Sequence, residues 1–196
     1  MHLPRLTRSD LMSLEQYSTA RMELRSKVLE HKRNRSLPIG PNATWSFEDQ
    51  LTMQYQVQEM LRVERIFEAD AIQEELDSYN PLIPDGRNWK ATFLLEFPDA
   101  EQRRQRLAQL KGVEDRCWVQ VAGLERVWAI ADEDLEREND DKTSAVHFLR
   151  FELSPQMCAQ VKAGAAIAAG IDHENYRHEV PQLPVNVRDS LAKDLS

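Results

Sequence analysis

In the stretch Thr52 to Ile66, TMQYQVQEMLRVERI, the polar residues Gln54, Gln58, Glu59 and Glu64 stand among apolar ones. Wound as a helix, it places Met53, Val57, Met60, Glu64, Phe67 and Ala71 on one stripe, with Gln54 and Gln58 one turn apart beside it. Upstream, Arg21 and His31 interrupt an apolar stripe of Leu14, Tyr17, Leu24 and Val28. If the two segments pair antiparallel, His31 falls near Glu48 or Leu51, and Arg21 near Gln58, Glu59 or Glu64. Two chemistries fit. A carboxylate beside an inward arginine holds when the two are paired and hydrogen-bonded, which gives a structural Arg21–Glu network. Alternatively His31, Glu48, Glu59 and Glu64 form a ligand or metal site, because imidazole and carboxylate donors on facing helices hold iron or manganese in bundles. The paired ExxH motifs of a di-iron bundle are absent.

A second constellation is Asp172 to Glu179, DHENYRHE. Its two histidines share a face on neither a helix nor a strand, so joint metal binding would require a turn. His173, with Tyr176 close by, reads either as a ligand-orienting or acid–base group or as a hydrogen-bonded histidine that fixes a loop. His147 alternates with Leu149, Phe151 and Leu153 and reads as a satisfied core histidine. Arg21, Arg25, Lys32, Arg33 and Arg35 offer either an anion or RNA site or a solvated helix face with intrahelical pairs.

Named catalytic motifs do not reduce these alternatives. The chain has no GxGxxG, phosphate loop, HExxH or GxSxG, and no particular cofactor or reaction is indicated. Cys117 and Cys158 lack CxxC spacing, which argues against a cysteine-ligated zinc or iron–sulfur centre in this chain. The formal charge of −8 opposes general nucleic-acid binding, which depends on neutralising phosphates. No run of eighteen apolar residues occurs, and MHLPRLTRSDLM lacks the apolar core of a signal peptide. The expectation is a cytoplasmic protein without membrane insertion.

The elements that must position these residues follow from periodicity. Residues 9–35 read as a helix capped by Ser9 or Asp10, and SLPIGPN (36–42) breaks it. A second helix is expected from a Ser46–Asp49 capping box to about Tyr79, roughly 50 Å at ~1.5 Å per residue. Such a helix needs a partner: the first helix, the remaining chain or a second subunit, the last making a homodimer. Beyond YNPLIPDG the pattern turns mixed. Strands are expected at 90–97 and 145–153, a hairpin over 116–130 around Ala122-Gly123, and a further strand at 165–171. Helices are expected at 100–110, 155–163 and 187–195, and the acidic segment Asp132 to Asp141 is expected as an exposed loop. The predicted class is α+β. An N-terminal antiparallel helical hairpin with a long second helix (1–80) precedes a ferredoxin-like sandwich with an extra strand (88–196), the two packed as one unit.

Several segments carry a family resemblance: LTRSDLMSLEQY, RMELRSKVLEHKRNR, IGPNATWSFEDQLTMQYQVQEMLRVERI, YNPLIP and GIDHENYRHEV. Together they resemble one small bacterial family, a domain of unknown function of about this length. Relatives in that family are often encoded beside a rubrerythrin-like protein and an iron–sulfur oxidoreductase similar to a heterodisulfide reductase subunit. The resemblance implies a role in redox or peroxide defence, with such proteins as partners, and no assigned activity. The leading reading is an accessory protein that is not itself a catalyst, and the alternative is a metal-dependent enzyme or metal-binding protein using the His and Glu residues of the helix hairpin. Lacking cysteine ligands, the chain would not itself be the electron carrier.

Overall fold

A computed structural model describes residues 5–135, 137–139 and 141–196; Met1 to Pro4, and Glu136 and Asp140 of the acidic segment, lie outside them. Helix α1 spans Leu14–Arg33. Ser13 caps it in a reciprocal box with Gln16, so the helix begins one turn later than Ser9 or Asp10 would set it. The expected stripe faces inward: Tyr17 and Val28 are buried, and Leu14, Arg21, Leu24 and His31 half-buried.

The expected loop after α1 is instead a hairpin of β1 (Ser36–Ile39) and β2 (Ala43–Glu48). Pro38 is tolerated because β1 is the edge strand of its sheet and Pro38 lies exposed there. Gly40 turns the hairpin at φ +73°, where a Cβ would lie 2.6 Å from the His178 ring. Ser46 is therefore a strand residue, and the capping box belongs to Asp49 and Thr52.

Helix α2 runs only from Gln50 to Val63, and α3 follows at Ala69–Tyr79. The expected single helix to Tyr79 is broken at Arg65, whose φ of +54° is left-handed. Ile66 N–H bonds back to Leu61 O at 2.9 Å and Glu64 N–H to Met60 O at 2.9 Å, a Schellman-type ending with arginine in the usual glycine position. Phe67, expected on the inward stripe, is 66% exposed beyond the break. Within the remaining length α2 packs antiparallel to α1, with His31 against Asp49 at one end and Tyr17 against Glu59 towards the other.

The remaining strands are β3 (Asn88–Leu95), β4 (Cys117–Val121), β5 (Arg126–Trp128), β6 (Ile130–Ala131), β7 (Val146–Glu152), β8 (Ile167–His173) and β9 (Tyr176–Val180). Helices α4 (Ala100–Gln109), α5 (Pro155–Lys162) and α6 (Val185–Ala192) complete the chain. The α+β class is as expected, but the strands form two antiparallel sheets, β1-β2-β3-β7-β6 and β5-β4-β8-β9, in place of one ferredoxin-like sheet. The chain changes sheets just after β5: Ala129 N–H bonds Cys117 O on β4, and Asp132 N–H bonds Phe148 O on β7. Such a corner lets both inner faces share one core. Trp45, Trp89, Phe93 and Phe151 from the first sheet pack in it with Val119, Ile167 and Ile171 from the second. Residues 36–48, on the helical side of the expected division at 80, thus belong to the main sheet. A smaller core of Leu6, Met53, Val57, Leu61, Leu76 and Ile83 holds the helical layer. Among the described residues no helix is long and apolar enough to cross a membrane.

Candidate functional site

The helix pair brings its polar residues together in twos and threes rather than around one centre. Arg21 forks onto Glu59, Nε to Oε1 at 2.7 Å and Nη2 to Oε2 at 2.9 Å, and Tyr17 Oη donates to the same carboxylate at 2.6 Å. The Arg21 guanidinium, helped by Tyr17 and Arg62, holds the Glu59 carboxyl down at about 2. Glu64, expected as the odd carboxylate on the inward stripe, is exposed at the C-terminal cap of α2. Gln58 is buried and clamps the N-terminal segment, accepting from Met12 N–H at 2.6 Å. Glu48 is buried between two hydroxyls, Thr52 Oγ1 at 2.6 Å and Thr92 Oγ1 at 2.7 Å. His31 bonds Asp49. The metal set His31, Glu48, Glu59 and Glu64 is therefore not assembled: each of the first three is held by other partners, and the fourth faces solvent.

The basic helix is likewise partly committed inward. Arg35 is 2% exposed and donates to Phe47 O, Glu48 O, Ser190 Oγ and both oxygens of Asp194, tying α6 to the first hairpin. With Arg21 also engaged, Arg25 and Arg33 remain exposed and Lys32 half-buried.

DHENY forms the end of β8, a tight turn and the start of β9. His173 Nδ1 accepts from Asn175 N–H at 3.2 Å, so Nε2 carries the proton that bonds Lys111 O at 2.9 Å. Tyr176 Oη accepts from Asn42 and Ala43 N–H at 3.0 Å each and donates to Ile39 O at 2.7 Å. Both residues thus fix turns, and the hydrogen-bonding capacity of each is committed to the backbone.

Strand β3 builds a different site. Its alternation turns Trp89, Ala91, Phe93 and Leu95 into the core and Lys90 and Thr92 to the opposite face. In register, Lys90 stands directly across from Arg150 on β7. Like charges facing each other across antiparallel strands repel. Arg150 is held by Glu133 at 2.8 Å through two bonds and by Glu152 at 2.7 Å. Lys90 Nζ gives one proton to Pro81 O at 2.7 Å, and burial, followed by the Arg150 charge, pulls its pKa below the usual lysine value. These cations lie in a cleft of about 730 Å³ whose other wall is the turn from Tyr79 to Pro84. Tyr79, Leu82 and Phe148 give it apolar surface, and Glu133, Asp134 and Asp85 an acidic rim.

Behind the cleft, at the corner between the sheets, lies a buried triad. His147 is fully buried; its Nδ1 is 2.6 Å from Asp132 Oδ2, and its Nε2 3.8 Å from Glu114 Oε2. Asp132 adopts a left-handed φ of +49° and accepts Phe148 N–H at 2.9 Å. Burial pushes the Glu114 carboxyl up. The expectation of a satisfied core histidine holds for its burial and hydrogen bonds, but the carboxylates at 114 and 132 lie too far off in sequence for spacing to reveal them.

Comparison with known proteins places the whole of this architecture. A family model described as "Protein of unknown function (DUF3501)" matches residues 5–195. The chain belongs to this family. No curated protein matches the chain. Among solved structures, a protein of unknown function from Burkholderia pseudomallei is 48% identical, covers 98% of this chain and 100% of its own, and superposes with a TM-score of 0.94. The bacterial resemblance seen in the sequence is thus borne out at the level of family and fold, and the DUF3501 description carries no activity with it.

Proposed function

We propose that this DUF3501 protein is a ligand-binding accessory protein whose cleft between the Tyr79–Pro84 turn and strands β3 and β7 takes a small organic anion. One observation carries the reading: Lys90 and Arg150 face each other across the strands at the floor of that cleft. A carboxylate or phosphate placed between them would relieve their repulsion and use ammonium protons beyond the one given to Pro81 O. Tyr79, Leu82 and Phe148 would cover the apolar part of the ligand.

The cellular setting we propose is a cytoplasmic redox or peroxide-defence system, with rubrerythrin-like or iron–sulfur oxidoreductase proteins as partners. Its support is the family resemblance in EHK, FED and QEMLR. A reaction in this chain is not required by that role.

Calorimetric titration with phosphate and a set of mono- and dicarboxylates tests the cleft. Saturable binding by at least one of them, weakened tenfold or more in Lys90→Met, is expected. Binding that Lys90→Met leaves unchanged would overturn the assignment. Recovery of rubrerythrin-like or iron–sulfur proteins in a native pull-down is expected for the setting, and repeated failure to recover any contradicts it.

A further inference from the structure

We propose that Glu114 and His147 bind a divalent first-row transition cation, with Asp132 as the carboxylate that orients the imidazole. This goes beyond the anion cleft and does not depend on it. These three side chains alone among the described residues form a His/Cys/Asp/Glu group of three whose ligand atoms all lie within 4.8 Å of one another.

The second observation is an orphaned atom. Glu114 is 8% exposed, yet its Oε2 has no hydrogen-bond partner and points towards His147 Nε2. A buried carboxylate oxygen without a partner is costly, and such groups are usually paired or bind a cation. The 3.8 Å between Oε2 and Nε2 exceeds a hydrogen bond. It is within the span of a bridged cation, since bonds of ~2.0–2.2 Å to each atom reach at most about 4.4 Å.

The surroundings are those of a metal-binding histidine. Asp132 Oδ2 lies 2.6 Å from Nδ1, and in the tautomer with the proton on Nδ1 the Nε2 lone pair lies on the side of Glu114 Oε2. That carboxylate–histidine arrangement fixes the tautomer and raises ligand basicity. Thr143 Oγ1 and Ser144 O lie 3.0 and 3.1 Å from Nε2; in that tautomer the Thr143 hydroxyl donates to Nε2, a bond the cation would replace, and both oxygens are then within reach as further ligands. One imidazole nitrogen with oxygens and no thiolate suits Zn²⁺, Fe²⁺ or Mn²⁺. Cys117 is turned away, its thiol bonded to Val113 O. The residues come from the approach to β4, the sheet-switching corner and β7, so a cation here would tie the two sheets together.

The test uses the full chain without a histidine tag, stripped with chelator and dialysed against Zn²⁺, Fe²⁺ or Mn²⁺ singly. One equivalent of at least one metal is expected by elemental analysis, and Co²⁺ should give a visible d–d spectrum characteristic of a protein site. Glu114→Gln keeps the shape of the side chain and should weaken binding at least tenfold while leaving the circular dichroism unchanged. Asp132→Asn should weaken it by ~10–100-fold. No stoichiometric binding of any of the three metals, or binding that Glu114→Gln leaves unaltered, would overturn the assignment. His147→Asn serves as a confirmatory loss, and Glu114→Gln decides the question if that variant does not fold.

Discussion

Arg21 meets Glu59 through both of its forked nitrogens, at 2.7 and 2.9 Å, across the antiparallel pair α1 and α2. The carboxylate is largely shielded, with 18% of its side chain exposed, and it also accepts from Tyr17 Oη at 2.6 Å. This pair ties α1 to α2.

The pair makes stability depend on acidity in a defined window. The Glu59 carboxyl has an ordinary value of 4.5 and is held at about 2 in the fold. Because the folded value is the lower one, its contribution is fully present above 4.5 and is lost as pH falls towards 2. Urea unfolding of the wild type should show this loss in that window. Glu59→Gln should flatten the dependence there and lower stability at neutral pH by about 1–2 kcal/mol, the scale of charge-assisted hydrogen bonds.

Tyr176→Phe removes an acceptor for two backbone N–H groups and the donor to Ile39 O. With those groups left in a part-buried turn, a loss of about 2–3 kcal/mol is expected by chemical denaturation. An unchanged midpoint would show that water replaces the phenol.

Arg65 occupies a left-handed position at φ +54° where glycine carries no steric penalty. Arg65→Gly should therefore be neutral or raise stability by up to ~1 kcal/mol, despite the greater freedom of glycine in the unfolded chain. A clear destabilisation would mean that the arginine side chain contributes contacts of its own.

How much of this was legible in the sequence differs by element. The stripe of α1 and the alternation of β3 and β7 follow strict periods, so the two strands and the end of α1 are readable to within two residues, while the start of α1, set by the Ser13 cap, falls five residues after the expected one. The break after α2 was hidden because Arg65 stands where glycine would signal a stop. The hairpin β1–β2 was hidden because a proline on an exposed edge strand leaves the same trace as a proline in a loop. Arg21 was readable as an inward cation, whereas its partner Glu59 could not be separated from Glu64 without knowing where the helix ends. Lys90 and Arg150 are sixty residues apart and pair only through strand register, which composition does not encode. For the same reason Glu114, Asp132 and His147 gave no joint signal.

The cleft is tested most directly by amide chemical-shift mapping during titration with the small organic anions. Perturbations confined to residues 79–90 and 148–150, saturating together and absent in Lys90→Met, are the predicted result. Perturbations centred elsewhere, or none at millimolar anion, would contradict the assignment of the Lys90–Arg150 cleft as the binding site.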